Sequence, residues 1–374
     1  MSQLLIESFE VSNFRAFEKL QIAHLGRANL ITGKNSVGKS SLLESLWLYA
    51  NKGSPSTILD ILSVRKEINT RVLPRPQADV RPRDEEDLFE ALKHLFYNRP
   101  KIEGSPVSIK IGPINSPQDR LSLTLDWYTL QNDREDTAVL WQPSFDNFAN
   151  LADSVIALEI KFANQSQVVF TLDRFLNRYS RPASSSNNNL IRTAGVNEAF
   201  IADLWAKVVL TDSEDEIIKA LRIISSEVER VAVVASDSRI ENKNSIIVKM
   251  KNSDSPIPLR TLGDGISRVF GLILTLVNSK DGILLIDEFE NGLHYTVMFE
   301  LWKLILQVAR RLNVQIFATT HSSDCIEAFQ KATIEDRQEE GILLRLDKRD
   351  GLVVPILYDE HRLSIATREQ IEVR

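Results

Sequence analysis

One stretch of the chain combines residue types that can hold a phosphate: Gly33, Lys34, Asn35, Ser36, Val37, Gly38, Lys39 and Ser40. The spacing fits G-x-x-x-x-G-K-[ST], a phosphate-binding loop. Glycine lets backbone N–H groups turn inward around an anion where a side chain would collide. Lys39 can reach the β- and γ-phosphates, the Ser40 hydroxyl can ligate Mg²⁺, and Ser41 extends the contact set. A helix beginning here would aim its positive end at the same anion.

A second constellation lies far along the chain. Ile283-Leu284-Leu285-Ile286 is an apolar run that ends in Asp287-Glu288. A buried strand ending in Asp is the Walker B pattern, with Asp287 on the metal's shell and Glu288 placed to polarise an attacking water. Past a helical stretch, Val314-Gln315-Ile316-Phe317-Ala318 reads as a strand ending at Thr319-Thr320-His321-Ser322. Open parallel sheets bind ligands at the carboxyl ends of their strands, so the P-loop, Asp287-Glu288 and His321 are expected on one edge. His321 is placed to face the γ-phosphate.

Three weaker features accompany these. Thr261-Leu262-Gly263-Asp264-Gly265-Ile266-Ser267-Arg268 opens a helix, and Gly263 and Gly265 offer an anion site at its start, or simply a helix beginning capped by Asp264 or Gly265. Arg15 stands between Phe14 and Phe17, two aromatics read as core. Its partner is either a phosphate or a surface carboxylate. Between 65 and 83 lie Arg65, Lys66, Arg71, Arg75, Arg81 and Arg83 against Glu67 and Asp79, with Asp84-Glu85-Glu86-Asp87 following. That stretch is either a contact for a nucleic-acid backbone or a self-neutralising surface.

The elements that must position these residues are legible from periodicity. Ala28–Thr32 reads as a buried strand. Leu42, Leu43, Leu46, Trp47 and Ala50 form a helical face. Phe9, Val11 and Phe14, then Leu20 and Ile22, predict a hairpin leading into the P-loop strand. Gly53-Ser54-Pro55-Ser56 breaks the pattern. From 105 to 172 the period becomes two, as at Val107, Ile109, Ile111 and at Leu121, Leu123, Leu125, which predicts an antiparallel β lobe. Ser184–Asn189 is polar and low in complexity, a mobile loop by composition. Ser213 with Glu216 reads as a capping box before a helix bearing Ile217, Ile218, Leu221 and Ile224. Val269, Phe270, Ile273, Leu274 and Val277 mark another helix, and Val297, Leu301, Trp302, Ile305, Val308 and Leu312 a third. Strands end the pattern at 342–346 and 352–354.

Composition bounds the rest. The 374 residues are 43% hydrophobic and 26% charged, ordinary for a globular chain with room for two lobes. A net charge of −6 argues against a wholly basic nucleic-acid binder, and the single Cys325 excludes an internal disulfide framework or a cysteine-based zinc site. With no long apolar run and no signal-peptide pattern at the N-terminus, the cytoplasm is the expected compartment, without a membrane partner. No N-K-x-D guanine-reading motif is found, since Asn278-Ser279-Lys280-Asp281 has the wrong spacing.

In order, these features are P-loop, β lobe and helices, glycine helix start, Walker B with Glu, then His. The order resembles the ABC-type ATPases, closest to the branch holding the SMC, RecF and OLD (overcoming lysogenisation defect) proteins. Asn13-Phe14-Arg15-Ala16-Phe17 resembles that branch's opening. Ile286–His294 and Thr319–Ser322 resemble the OLD-type ATPase. The resemblance covers roughly 1–50 and 257–330. It implies an α/β fold, a P-loop NTPase head of ABC type with a mixed sheet, the antiparallel β lobe and a short helical arm insertion. The implied division is 1–56 and 257–374 for the head and 57–256 for the inserted region. It further implies ATP and Mg²⁺, and a head-to-tail homodimer sandwiching two nucleotides. There Gly263 and Gly265 serve the partner's γ-phosphate, Glu288 is the general base, His321 the switch histidine, and 291–294 a loop near the partner's site. The signature departs from L-S-G-G-Q, and Gln77, Gln118, Gln131 and Gln142 all remain open as the Q-loop glutamine. About forty residues follow 330, too few for the TOPRIM nuclease that OLD proteins often carry. A separate effector such as a nuclease is therefore expected, in nucleic-acid metabolism or phage defence, with DNA or RNA contact possible in kind. The alternatives are the nucleotide-binding subunit of a transporter and a module that binds ATP without hydrolysing it.

Overall fold

The structure is a computed structural model. It describes residues 4–68, 82–100, 105–132, 139–143, 154–163, 168–172, 175–176, 187–196, 198–235, 244–251, 253, 255–336 and 341–358. Arg71, Arg75, Arg81, Gln77 and Asp79 lie outside these residues, so the basic stretch is described only at its two ends.

The site is built on a six-stranded mixed sheet. Its strands are β3 (Ala28–Gly33), β9 (Asn189–Ile191), β13 (Ile283–Ile286), β14 (Gln315–Thr319), β15 (Gly341–Arg349) and β16 (Leu352–Tyr358), in the order β16-β15-β3-β14-β13-β9. Neighbours pair in parallel from β15 through β9, and β16 adds an antiparallel edge. Because side chains alternate along a strand, the sheet feeds two cores. Leu284 and Ile286 face one, with Leu30, Ile316 and Ala318. Ile283 and Leu285 face the other, with Ile31, Phe317, Leu344 and Leu346.

The first core is covered by helices. These are α4 (Glu198–Ala206), α5 (Asp212–Ile224), α6 (Asp264–Val277), α7 (Tyr295–Arg311) and α8 (Ser323–Asp336). In α7 the buried residues Met298, Leu301, Trp302, Ile305, Leu306, Val308 and Ala309 recur at helical spacing. Trp302 stacks on Phe289, with centroids 4.1 Å apart.

The second core lies between the mixed sheet and a seven-stranded antiparallel sheet. That sheet joins the N-terminal hairpin β1 (Phe9–Phe14) and β2 (Phe17–Ile22) to β4 (Val107–Gly112), β5 (Leu121–Asn132), β6 (Val139–Pro143), β7 (Ser154–Phe162) and β8 (Val168–Thr171). The helix α1 (Lys39–Ala50) packs between the two sheets, with α2 (Pro55–Val64) and α3 (Pro82–Lys93) in the same core. A third, small sheet holds β10 (Val228–Ala235), β11 (Asn244–Met250) and β12 (Ile257–Pro258). The predicted fold class holds: an α/β P-loop fold with a mixed sheet, an antiparallel lobe and inserted helices.

Several local expectations change. Ser54-Pro55 is a helix start as well as a break: Ser54 caps α2, accepting from the Thr57 N–H at 3.3 Å, with Pro55 at the first helical position. The α5 cap is Thr211 rather than Ser213, and the Glu214 carboxylate, not Glu216, reaches back to the Leu210 N–H. The cap of α6 is Gly263, at φ 101°, rather than Asp264 or Gly265. Asn187–Asn189 are stitched down rather than loose. Asn187 donates to the Lys280 carbonyl, Asn188 to the Ala50 carbonyl, and Asn188 accepts from the Ile283 N–H. Their amides replace the missing apolar side chains, and the chain continues directly into β9. Ser184–Ser186 lie outside the described residues.

Candidate nucleotide-binding site

The carboxyl ends of β3, β14 and β13 are neighbours in the sheet, and each releases one part of the site. β3 ends in the P-loop. Gly38 takes φ 113° at the start of α1, where a Cβ would stand 2.9 Å from the Phe17 ring and 3.1 Å from Ala16. Gly33 takes φ 139°, where a Cβ would meet the Leu346 carbonyl at 2.4 Å. Both positions need glycine for space as well as for backbone angle. Phe14 and Phe17 are fully buried, as core residues.

Lys39 curls over its own loop, and its Nζ donates to the Gly33 carbonyl at 2.7 Å and the Lys34 carbonyl at 3.1 Å. Burial pulls its ammonium below the ordinary lysine value, against the carboxylates of Asp287, Glu288 and Glu290, which hold it up. The Ser40 Oγ lies 3.4 Å from each carboxylate oxygen of Asp287. Thr319, at the end of β14, donates to the Asp287 Oδ1 at 2.7 Å and accepts from the Glu288 N–H at 2.8 Å. Glu288 itself is left-handed, at φ 50°. Glu290 accepts from the Thr320 hydroxyl at 2.8 Å and the His321 N–H at 2.7 Å, fixing the turn that carries the exposed His321 ring.

A cavity of about 710 Å³ joins these groups. Its lining includes Ser36, Gly38, Lys39, Ser40, Ser41, Asp287, Glu288, Thr319 and His321. The volume lies within the range of small-molecule sites. The donor set suits a hard divalent cation: one hydroxyl and one carboxylate face each other, leaving phosphate and water to complete the shell. Among the described residues no cluster of three or more His, Cys, Asp or Glu side chains forms a cage for a metal. Where Mg²⁺ binds, Ser40 and Asp287 would hold it, and it would neutralise phosphate charge.

The lining also includes Arg65 and Glu67, from the N-terminal end of the charged stretch, and His94, Asn98 and Arg99, which the sequence did not single out. Arg15 belongs to this lining, and its partner in the structure is the carboxylate of the two alternatives. Its Nε lies 2.8 Å from Glu44, and its Nη1 and Nη2 donate to the two oxygens of Glu67 at 2.9 and 2.8 Å. Its guanidinium is thus engaged by protein while Arg15 lines the P-loop cavity, and the expected phosphate contact stays a proposal. Glu44 is buried, at 7% exposure, and Glu67 is half-buried. Arg65 adds a 2.7 Å bond to Glu44. Burial raises the Glu44 carboxyl above its ordinary value, while Arg15 and Arg65 pull it down. Burial, with Arg99 nearby, lowers the His94 ring. The available signal for Glu44 was a carboxylate between Leu43 and Leu46, within the apolar face of α1.

Gly263 and Gly265 are not brought to this cavity. They stand at the start of α6, beside a separate hollow of about 350 Å³ lined by Asp264, Ser267, Arg268, Asn291 and Gly292 among others. Asn291 donates to the Thr193 carbonyl, and His294 Nδ1 contacts the Thr296 hydroxyl. Gln118 sits on an exposed turn next to Asp119, and Gln131 and Gln142 lie in the β5–β6 ladder. Gln118 is absent from the P-loop cavity's lining, and the side chains of Gln131 and Gln142 lie outside the described residues.

Relatives agree with this construction. A Helicobacter pylori protein named "ATP/GTP phosphatase" is 24% identical over 386 residues, covering 95% of each chain. The DNA replication and repair protein RecF of Lachnoclostridium phytofermentans is 32% identical over 132 residues, 31% of this chain and 34% of RecF. Among solved structures, an Smc head domain with an extended coiled coil, bound to the C-terminal domain of ScpA from Pyrococcus furiosus, aligns over 98% of this chain and 99% of its own. Its TM-score is 0.46 at 10% identity, a level that speaks to neither function nor partner. The family profile described as "AAA domain, putative AbiEii toxin, Type IV TA system" matches residues 28–324, from the P-loop strand to the first turn of α8, and the chain belongs to that family.

Proposed function

We propose that the chain binds ATP with Mg²⁺ in the P-loop cavity and hydrolyses it to ADP and phosphate. The observation that carries this reading is the convergence of Ser40, Asp287 and Thr319 beside Glu288, in one cavity with Lys39. Loop amides and Lys39 would bind and orient the phosphates. Glu288 would accept a proton from the attacking water, and His321 would face the departing γ-phosphate. The Helicobacter relative's printed name supports nucleoside triphosphate hydrolysis and leaves ATP and GTP both open. The missing N-K-x-D motif favours ATP, since Asn278 instead closes α6 by donating to the Leu204 and Leu274 carbonyls.

The site's separation from Gly263 and Gly265 favours a head-to-tail homodimer, in which each glycine turn meets the other copy's nucleotide. The output of such a switch would be a conformational signal to a separate effector, nuclease-like, in nucleic-acid metabolism or phage defence. We propose 1–56 and 257–374 as the head and 57–256 as the inserted region, with β9 returning from the insertion to the head's sheet. Among the described residues no helix is long and apolar enough to cross a membrane.

The test is steady-state hydrolysis and equilibrium ATP binding by three proteins. Glu288→Gln is expected to keep ATP binding and to lose about 10²- to 10⁴-fold in kcat, the range of general-base catalysis. Lys39→Ala is expected to lose binding. Wild-type turnover in Glu288→Gln would refute the assignment of the base.

A further inference from the structure

Arg268 is a cation in an unusual place. It lies in the first turns of α6, at 9% exposure, in a stretch from Ile266 to Val277 where Ser267 and Thr275 are the other polar side chains. Burying a guanidinium is costly unless its donors are used. Its two terminal nitrogens donate to main-chain carbonyls, while the buried Nε has no partner among the described residues. Nη2 donates to the carbonyls of Asp287 and Glu288, both at 3.2 Å, and Nη1 to the Arg192 carbonyl at 3.0 Å. One side chain therefore joins the glycine-turn helix to the backbone of the two acidic residues at the site. The carboxylates of Asp287, Glu288 and Glu290 add a favourable field.

The target of that bond is strained. Glu288 is a non-glycine residue at φ 50°, a conformation that persists where its surroundings over-determine it. Thr319 holds it from the N–H side at 2.8 Å, and Arg268 holds its carbonyl. The next turn is close as well. A Cβ on Gly265 would stand 3.0 Å from the Gly292 carbonyl, so α6 and the loop after Glu288 touch backbone to backbone. A displacement of the α6 start cannot leave the Glu288 peptide untouched.

We infer that Arg268 is a positioning residue that sets the backbone, and so the aim, of Glu288, and couples the Gly263–Gly265 turn to the hydrolytic carboxylate. This rests on the hydrolytic reading of the site above. It assigns Arg268 no contact with nucleotide. The coupling runs through main-chain carbonyls, so it depends on fork geometry as well as on charge. Lysine retains the charge but cannot span two carbonyls on one element and a third on another with a rigid planar group.

The experiment compares Arg268→Lys and Arg268→Met with wild type and Glu288→Gln in the full-length protein. It reads ATP affinity, kcat and KM, and thermal melting. Misplacing a reacting group by a fraction of an ångström to an ångström costs up to about a hundredfold in rate. Arg268→Lys is therefore expected to melt near wild type and bind ATP within about threefold, while kcat falls about tenfold or more. Arg268→Met should fall further in kcat. If Arg268→Lys keeps wild-type kcat, or loses affinity and kcat in equal measure, the inference is overturned. Arg268→Met supports it by the same split between binding and turnover, and any failure of that variant to fold leaves Arg268→Lys to decide. Glu288→Gln separates the two levels: normal turnover there sinks the hydrolytic reading, whereas a dead Glu288→Gln beside a fully active Arg268→Lys sinks only this coupling.

Discussion

Arg15 and Glu44 are buried charges within a small network; removing Arg15 leaves Glu44 with Arg65 alone and strips Glu67 of its paired guanidinium. Breaking such a pair costs about 3–5 kcal/mol, while apolar replacement of both is often neutral. Arg15→Ala is expected to lose about that much stability in a denaturant titration at neutral pH. The pH dependence follows from the direction of the shift. Burial already raises the Glu44 carboxyl, and losing Arg15 raises it further. A carboxyl raised on folding destabilises the folded chain above its folded pKa, and the penalty is relieved as pH falls through that value. The gap between Arg15→Ala and wild type should therefore narrow on acidification; a gap that widens would contradict the assignment. Thr319 makes a different prediction. Thr319→Val keeps the shape but removes the bonds to Asp287 and Glu288, and loss of such a supporting partner typically costs about 10- to 100-fold in metal affinity. A Mg²⁺ titration of ATP hydrolysis should shift by that factor. At this scale the P-loop, Asp287 and Glu288 were readable because their spacing is local. The partners of Glu44, Glu67, His94, Thr319 and Arg268 were not, because each is paired with a residue distant in sequence, as Arg268 is with the Asp287 and Glu288 carbonyls.

Element boundaries show why local signals mislead by a few residues. Thr211 and Ser213 are both good caps, and the choice falls to Thr211 because its extended backbone, φ −119° and ψ 167°, lets its hydroxyl accept from the Ser213 N–H. Thr211→Ala should lower stability by about 1 kcal/mol, and Ser213→Ala by much less, as read from paired denaturation curves. Gly263 caps α6 by backbone angle alone, since no atom lies within 4 Å of where its Cβ would be. Gly263→Ala is therefore expected to strain the turn by about 1 kcal/mol or more without blocking it. Nucleotide-dependent dimerisation, measured by sedimentation, should weaken while the monomer's ATP affinity stays. The long strands and helices were readable from period alone, as α7 and β13 illustrate. β9 was not, because three residues carry no period and their anchors are asparagine amides.

For the whole molecule, β15 and β16 were legible as strands, but their place in the mixed sheet was not. β15 pairs beside β3, three hundred residues away in sequence, and β1–β2 leave the P-loop strand to join the antiparallel sheet. Such pairings are set by which face must be buried, and nothing local announces them. α1 illustrates the result: lying between two sheets, it is buried at Leu42, Leu43, Leu46 and Leu48, on more than one side.

The two cores share one partition. Each strand of the mixed sheet places alternate residues on either side, so Leu284 and Leu285 are adjacent in the chain yet lie in different cores. Melting either core strips one face of the partition and exposes the same backbone ladders that support the other. The halves therefore behave as one thermodynamic unit. Calorimetry should record a single endotherm whose van't Hoff and calorimetric enthalpies agree. Damage on either side, by Leu284→Ala or by Leu285→Ala, should move that one peak rather than split it.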